Sequence, residues 1–306
     1  MTGIVAVIGP TAVGKSRLAM TIAQHHYAEI ISADSRQIYR HMDIGTAKPS
    51  VDDQTRVKHH LIDIIYPDDT FSVAEYKTAA DGIIADIIAG GKIPVLVGGS
   101  GQYIWALLEN WQIPLIMPDT EFRSSMLNEA EIGGFEVLHA ELRRIDPESG
   151  SKIHPTNIRR VIRALEIHHQ TGRKASDFAK KGRAINKTLI IGLTSERKTL
   201  YHRIDGRVDN MISQGLVEEV KNLIDTGYTS ELPSMSGIGY QQISAYIKGR
   251  LSLDEAIQRI KYATHRFARS QYNWFRLHDP RITWYDADDD NDEKIIYTIK
   301  TFLENS

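Results

Sequence analysis

Residues 3–16 read Gly3-Ile4-Val5-Ala6-Val7-Ile8-Gly9-Pro10-Thr11-Ala12-Val13-Gly14-Lys15-Ser16, and they decide the fold class. The first six are apolar and rich in β-branched side chains, as in a buried strand. The next eight match G-x-x-x-x-G-K-[ST], the phosphate-binding P-loop. Its glycines let the backbone curl so that successive N–H groups face an anion. The stretch from Ser16 to Ala23 supplies the helix whose positive end completes the cradle. Lys15 can reach a terminal phosphate, and the Ser16 hydroxyl can ligate Mg²⁺. A glycine-rich turn with an incidental lysine would need neither the strand before it nor the helix after it. The stretch therefore predicts a di- or triphosphate held by Gly9, Pro10, Thr11, Ala12, Val13, Gly14, Lys15 and Ser16.

Working outward, residues 28–34 read as a second strand that ends on Asp34. Ser35, Arg36 and Gln37 follow, and then a polar loop over 43–49. Ser72-Val73-Ala74-Glu75 is a capping box opening a helix to residue 89, which Gly90-Gly91 ends. Residues 92–97 form another buried strand, closed by Gly98-Gly99-Ser100-Gly101. In an open parallel sheet ligands sit beyond the carboxyl ends of the strands, so Asp34 and this second glycine turn share a rim with the P-loop. Strand signals then stop. Helical patterns cover 121–131, 134–145 and 157–170, and a strand returns at 188–193. Long helical patterns over 196–224 and 252–277 follow, and the acidic run 286–293 reads as a solvated loop. The expectation is an α/β fold. Its P-loop core, residues 1–113 and 188–306, has a mostly parallel sheet flanked by helices, and 114–187 is an all-helical insertion domain.

The 306 residues suffice for two domains, and 42% apolar with 25% charged residues is ordinary for a globular chain. There is no cysteine, which excludes disulfides and thiolate metal sites. The strand feeding the P-loop leaves no room for a signal peptide, and no apolar run reaches the roughly 18 residues of a membrane span. A cytoplasmic monomer without a membrane partner is expected. The net charge of −2 hides an uneven distribution. Residues 1–110 carry 9 Lys/Arg against 12 Asp/Glu, residues 152–207 carry 14 against 4, and the last 28 carry 3 against 8. A basic middle between acidic flanks points to a localised polyanion surface.

P-loop kinases and NTPases need a second acid at a strand end for Mg²⁺. Here the strand over 92–97 ends in glycines, and Asp63 in His59-His60-Leu61-Ile62-Asp63 has no evident place. No guanine-binding Asn-Lys-x-Asp occurs. His59-His60 and His168-His169 are adjacent, not at the i, i+4 spacing of a helical metal site, and read as structural or surface pairs. Trp274 and Phe275 read as core. A phosphate cradle, one prominent acid and a basic helical region suit a diphosphate leaving group, a general base and a nucleic-acid substrate. A small-molecule kinase and a nucleotide-dependent RNA-binding protein stay open on these residues alone.

GPTAVGKS, SADSRQIYRHMDIGTAKP, HHLID, PVLVGGSGQYIWALL, HPTNIRRVIRALEIHHQTGR and ATHRFARSQYNWFR occur in this order. Together they resemble the tRNA dimethylallyltransferases, the bacterial tRNA isopentenyl transferases, over nearly the whole chain to about residue 280. The resemblance implies transfer of a dimethylallyl group from dimethylallyl diphosphate to N6 of the adenosine at tRNA position 37, in the anticodon stem-loop, with Mg²⁺ as cofactor. It implies that Thr11 and Lys15 contact the diphosphate, that Asp34 accepts the N6 proton, and that Arg207 neutralises the departing diphosphate. Ser35, Arg36 and Gln37 would line the target nucleotide. Ser100, Arg123, Arg159, Arg160 and Arg163, with the segments 231–236 and 264–271, match tRNA-contacting positions. Ser100 stands where many members have threonine, and Ser236 and Ser270 replace basic residues. With no cysteine, the C-terminal zinc finger of eukaryotic members is not expected.

Overall fold

The computed structural model describes residues 3–178, 181–182 and 186–305. In chain order the first elements are β1 (Gly3–Ile8), α1 (Lys15–His25), β2 (Ala28–Ala33), α2 (Val51–Arg56), β3 (His59–His60), α3 (Val73–Ala89), β4 (Ile93–Gly98) and α4 (Gly101–Leu108). Helices α5 (Thr120–Gly133), α6 (Phe135–Ile145), α7 (Pro147–Lys152), α8 (Ile158–Thr171) and α9 (Ala175–Phe178) follow. The chain then forms β5 (Lys187–Thr194), α10 (Arg197–Ser213), α11 (Leu216–Asp225), α12 (Tyr240–Ile247), α13 (Leu253–Gln271), β6 (Ile282–Asp286) and α14 (Asp292–Glu304).

All six strands are parallel, in the order β3-β2-β4-β1-β5-β6. A parallel strand covered by helices on both faces must be apolar throughout, and every residue of β1 is buried. Leu18 and Ile22 of α1, Leu200 and Ile204 of α10, and Ile295 and Ile299 of α14 join Val5, Val7, Val95 and Ile191 in one core. A second cluster gathers α11, α12 and α13 around Met42 and Tyr39. There the Glu219 carboxylate accepts the backbone N–H groups of Asp43, Ile44 and Gly45 at 2.7–3.1 Å and the Tyr240 hydroxyl at 2.7 Å. The polar loop after β2 is thereby fixed.

The chain divides into two compact units: Met1–Ser72 with Tyr76–Leu108 and Ile185–Ser306, and Val73–Glu75 with Glu109–Ala184. Between residues 109 and 184 the second holds α5 to α9, built on Leu138, Leu142, Val161, Ile162 and Leu165, with one isolated bridge between Trp111 and Lys181. Lys180 and Arg183 of the basic stretch lie outside the described residues. No helix among the described residues is long and apolar enough to cross a membrane.

Three local expectations need correction, and two edge strands were not expected. The pattern over 196–224 is two helices, because Gly215 turns to φ 101° between them. The helix over 252–277 ends at Gln271. The two-residue β3 is too short to show an alternating pattern, and β3 and β6 gain their identity from the edges they extend. The acidic run is not all loop: Asp286 closes β6, and Asp292 and Glu293 open α14, where the helix dipole favours them.

At the rim, β2 and β4 pair Ala33 with Gly98 so closely that a Cβ on Gly98 would lie 2.1 Å from the Ala33 carbonyl oxygen. Gly98→Ala must push the strands apart, and we expect it to lower unfolding free energy by about 2–4 kcal/mol in urea titrations. A loss below about 0.5 kcal/mol would show that the rim can yield.

Candidate active site

The P-loop leaves β1 through Gly9, whose φ of 143° and whose approach to the Leu193 carbonyl exclude a side chain. Gly14, at φ 104°, starts α1. Lys15 folds back and donates to the Pro10 carbonyl at 2.7 Å. Its withdrawal from water, with the Arg207 guanidinium nearby, lowers the ammonium to about 7, while Asp34 acts in the opposite direction. Arg207, on α10, is likewise lowered by loss of hydration and supported by Asp34. Its guanidinium reaches the Thr11 hydroxyl at 3.5 Å.

Asp34 stands just past the end of β2. Its Oδ1 accepts the Arg36 N–H at 2.9 Å, and no bond to Oδ2 occurs among the described residues. The Ser100 hydroxyl accepts the Ser35 N–H at 3.1 Å, so the turn after β4 holds the turn after β2. Thr11, Lys15, Ser16, Asp34 and Arg207 line one cavity of about 630 Å³, with Met20, Val97 and Phe267 on its apolar walls. Adjacent parallel strand ends explain this convergence: β4, between β1 and β2, contributes Val97 and Gly98 there, followed by Gly99 of the turn.

Gln271 is a residue whose role the sequence reading missed. At 3% exposure, its Oε1 accepts the Thr11 N–H at 2.8 Å and its Nε2 donates to the Gly99 carbonyl at 3.0 Å. It clamps the P-loop to the second glycine turn, and Gly99 has no room for a Cβ beside it. A polar residue in register with the buried Ala256, Ile260 and Ala268 of its helix was a signal.

Other expected contact residues have internal partners. Arg36 donates to the carbonyls of Pro233 and Ser234 at 2.8 and 3.1 Å, which ties the 231–236 segment to the Asp34 turn. Gln37 accepts from Ser32 and donates to the carbonyls of Thr46 and Ala47. The hydroxyls of Ser236, Thr264 and Ser270 bond nearby backbone carbonyls. Lys48 holds Asp63, together with Asp43. His60 pairs with Glu29, and His169 stacks on Phe122. Phe275 is core at 1% exposure, whereas Trp274 is 39% exposed.

In the second unit, Arg123 holds the fully buried Glu166 through two bonds of 2.8 Å, and Arg163 joins from one helical turn away. Burial would raise the Glu166 carboxyl, but these hydrogen bonds and the Asp119 N–H outweigh it and hold it low. Arg159 and Arg160 are exposed on α8.

A family model described as IPP transferase matches residues 37–278. The chain belongs to this family. It is 49% identical over 276 residues to a tRNA dimethylallyltransferase of Roseiflexus sp. strain RS-1, covering 90% of each chain. The corresponding protein of Dehalococcoides mccartyi is 45% identical over 300 residues, 98% of this chain and 92% of that one. The solved full-length tRNA isopentenylpyrophosphate transferase of Bacillus halodurans superposes with TM-score 0.73 at 40% identity, over 100% of this chain and 96% of that one. A eukaryotic dimethylallyltransferase acting on tRNA reaches TM-score 0.85 at 27% identity, over 100% and 80%. The chain is thus a member of an enzyme family of prenyltransferases.

Gln271→Met keeps the side-chain volume and leaves the Thr11 N–H and the Gly99 carbonyl without partners. We expect unfolding free energy to fall by about 2–4 kcal/mol in urea titrations. An unchanged value would mean that water replaces the amide at no cost.

Proposed function

We propose that the enzyme transfers the dimethylallyl group of dimethylallyl diphosphate to N6 of the adenosine at tRNA position 37. The observation that carries this reading is the single cavity in which Asp34 faces Lys15 and Arg207. The exocyclic amine is a weak nucleophile, because its lone pair is delocalised into the ring. As the bond from N6 to the allylic carbon forms, positive charge builds on N6, and the Asp34 carboxylate takes its proton. The carbon–oxygen bond breaks in the same step, and its electron pair leaves with the diphosphate. Thr11, Lys15, Arg207 and the loop amides stabilise that charge.

Mg²⁺ suits the donor set, since it keeps several waters and needs few protein ligands when phosphate oxygens are available. The exposed Ser16 hydroxyl beside the cradle would hold it, and the ion would supply charge neutralisation of the diphosphate. The adenosine belongs to the single-stranded loop of the anticodon stem-loop, from which a base can be extruded without breaking a duplex. Exposed Arg159 and Arg160 would meet RNA phosphates. Arg123 and Arg163, which also pair with Glu166, would add to that surface, and the Ser35–Gln37 turn, held by Ser100, would line the nucleotide. Family membership argues against a small-molecule kinase and against a nucleotide switch without chemistry. We place the reaction in the cytoplasm and in the monomer.

Incubation with unmodified tRNA and dimethylallyl diphosphate, followed by nucleoside analysis, tests the reading directly. Asp34→Asn keeps the shape and removes the base. In single-turnover assays with both substrates saturating, we expect the transfer rate to fall by about 10²–10⁴. A rate within about threefold of wild type would exclude Asp34 as the base.

Lys15 adds a pH signature. Diphosphate selects its protonated form, so affinity should be full below about pH 7 and weaken as pH rises through that value, by up to about tenfold per unit. Calorimetric titration of inorganic diphosphate into wild type and Lys15→Arg separates this from titration of the ligand, because arginine keeps its proton. Parallel profiles for the two proteins would contradict the lowered lysine.

A further inference from the structure

A smaller cavity of about 280 Å³ adjoins the P-loop, and Lys15, Arg17, Arg203 and Arg207 are its charged lining, with no carboxylate among the residues around it. Lys15 and Arg207 already have roles at the diphosphate. Arg17 and Arg203 do not. They come from different elements, α1 and α10, yet both are engaged by one acidic segment, 286–292. Asp292 receives two bonds from Arg17, at 2.5 and 3.1 Å, and Asp288 receives Arg203 at 2.8 Å. The Asp288 carboxylate is itself fixed by the Ser195 hydroxyl at 2.7 Å.

We propose that Arg17 and Arg203 form an outer subsite for the diphosphate, and that Asp288 and Asp292 compete with the ligand for them. The inference rests on the diphosphate reading above. Both pairs are solvated, with side-chain exposures of 62% and 28% for Arg17 and Asp292, and 39% and 28% for Arg203 and Asp288. Solvated pairs are weak and exchange readily. A diphosphate carries more charge than a carboxylate and matches the planar guanidinium fork equally well. Each arginine can therefore pass from its carboxylate to the ligand as it arrives and return as the product leaves. The carboxylates keep two mobile cations at the mouth of the cradle while holding affinity low enough for diphosphate to dissociate.

The test is calorimetric titration of inorganic diphosphate into the full-length protein, using Arg203→Gln, Asp288→Asn and the double variant. Competition requires opposite signs. Arg203→Gln should weaken binding by about tenfold, Asp288→Asn should tighten it by about threefold to tenfold, and the gain should vanish in the double variant. If both single variants weaken binding, or both stay within about twofold of wild type, the proposal is overturned. Should Asp288→Asn lower the thermal midpoint, the Arg17→Gln and Asp292→Asn pair gives the same cycle on more exposed residues, with the same criteria. Wild type that fails to bind diphosphate at all would instead sink the reaction reading.

Discussion

Two cations, Lys15 and Arg207, share a space partly withdrawn from water, and Asp34 is the carboxylate that offsets them. Loss of hydration, and after it repulsion from Arg207, lowers the lysine to about 7, and Asp34 offsets only part of this. A diphosphate bound as proposed would relieve that repulsion. The same imbalance sets the direction of the chemistry. In the proposed reaction, negative charge on the leaving group would meet preorganised donors, and positive charge on the amine would meet Asp34, which lines the same cavity.

Such a site works only if its members cannot drift apart, and the surrounding bonds serve that end. Gln271 joins the P-loop to the Gly99 turn, and Ser100 joins that turn to Ser35. Arg36 extends the chain of contacts to Pro233 and Ser234, and Glu219 fixes the loop over 43–45. Each of these is a polar side chain bonded to backbone groups. The sequence blocks after Asp34 therefore contain scaffolding, and the Arg36 guanidinium is one case where a basic residue bonds the fold itself.

The helical unit repeats the theme with a different solution. A fully buried carboxylate is costly unless its oxygens are filled, and Glu166 is filled by Arg123, Arg163 and the Asp119 N–H. On α8 this leaves Arg159 and Arg160 exposed and, among the described residues, without such a commitment. The net basic balance of residues 152–207 thus overstates the charge available to a partner.

How much of this was legible in advance follows from the range of each interaction. The strand, loop and helix over 3–25 are a contiguous motif with local periodicity, so they could be read directly, as could Asp34 at a strand end and the change to helical pattern after 114. The resemblance carried by the blocks from GPTAVGKS to the tryptophan at 274 supplied the family. The break at Gly215, the two-residue strand β3 and the start of α14 inside an acidic run were not legible, because each depends on packing against elements distant in sequence. The partners of polar side chains were hidden for the same reason. Gln271 meets Thr11 across 260 residues, Arg203 meets Asp288, and Arg123 meets Glu166. Periodicity determines which face of an element is buried, but only the closed tertiary structure decides which donor and acceptor that burial brings within bonding distance.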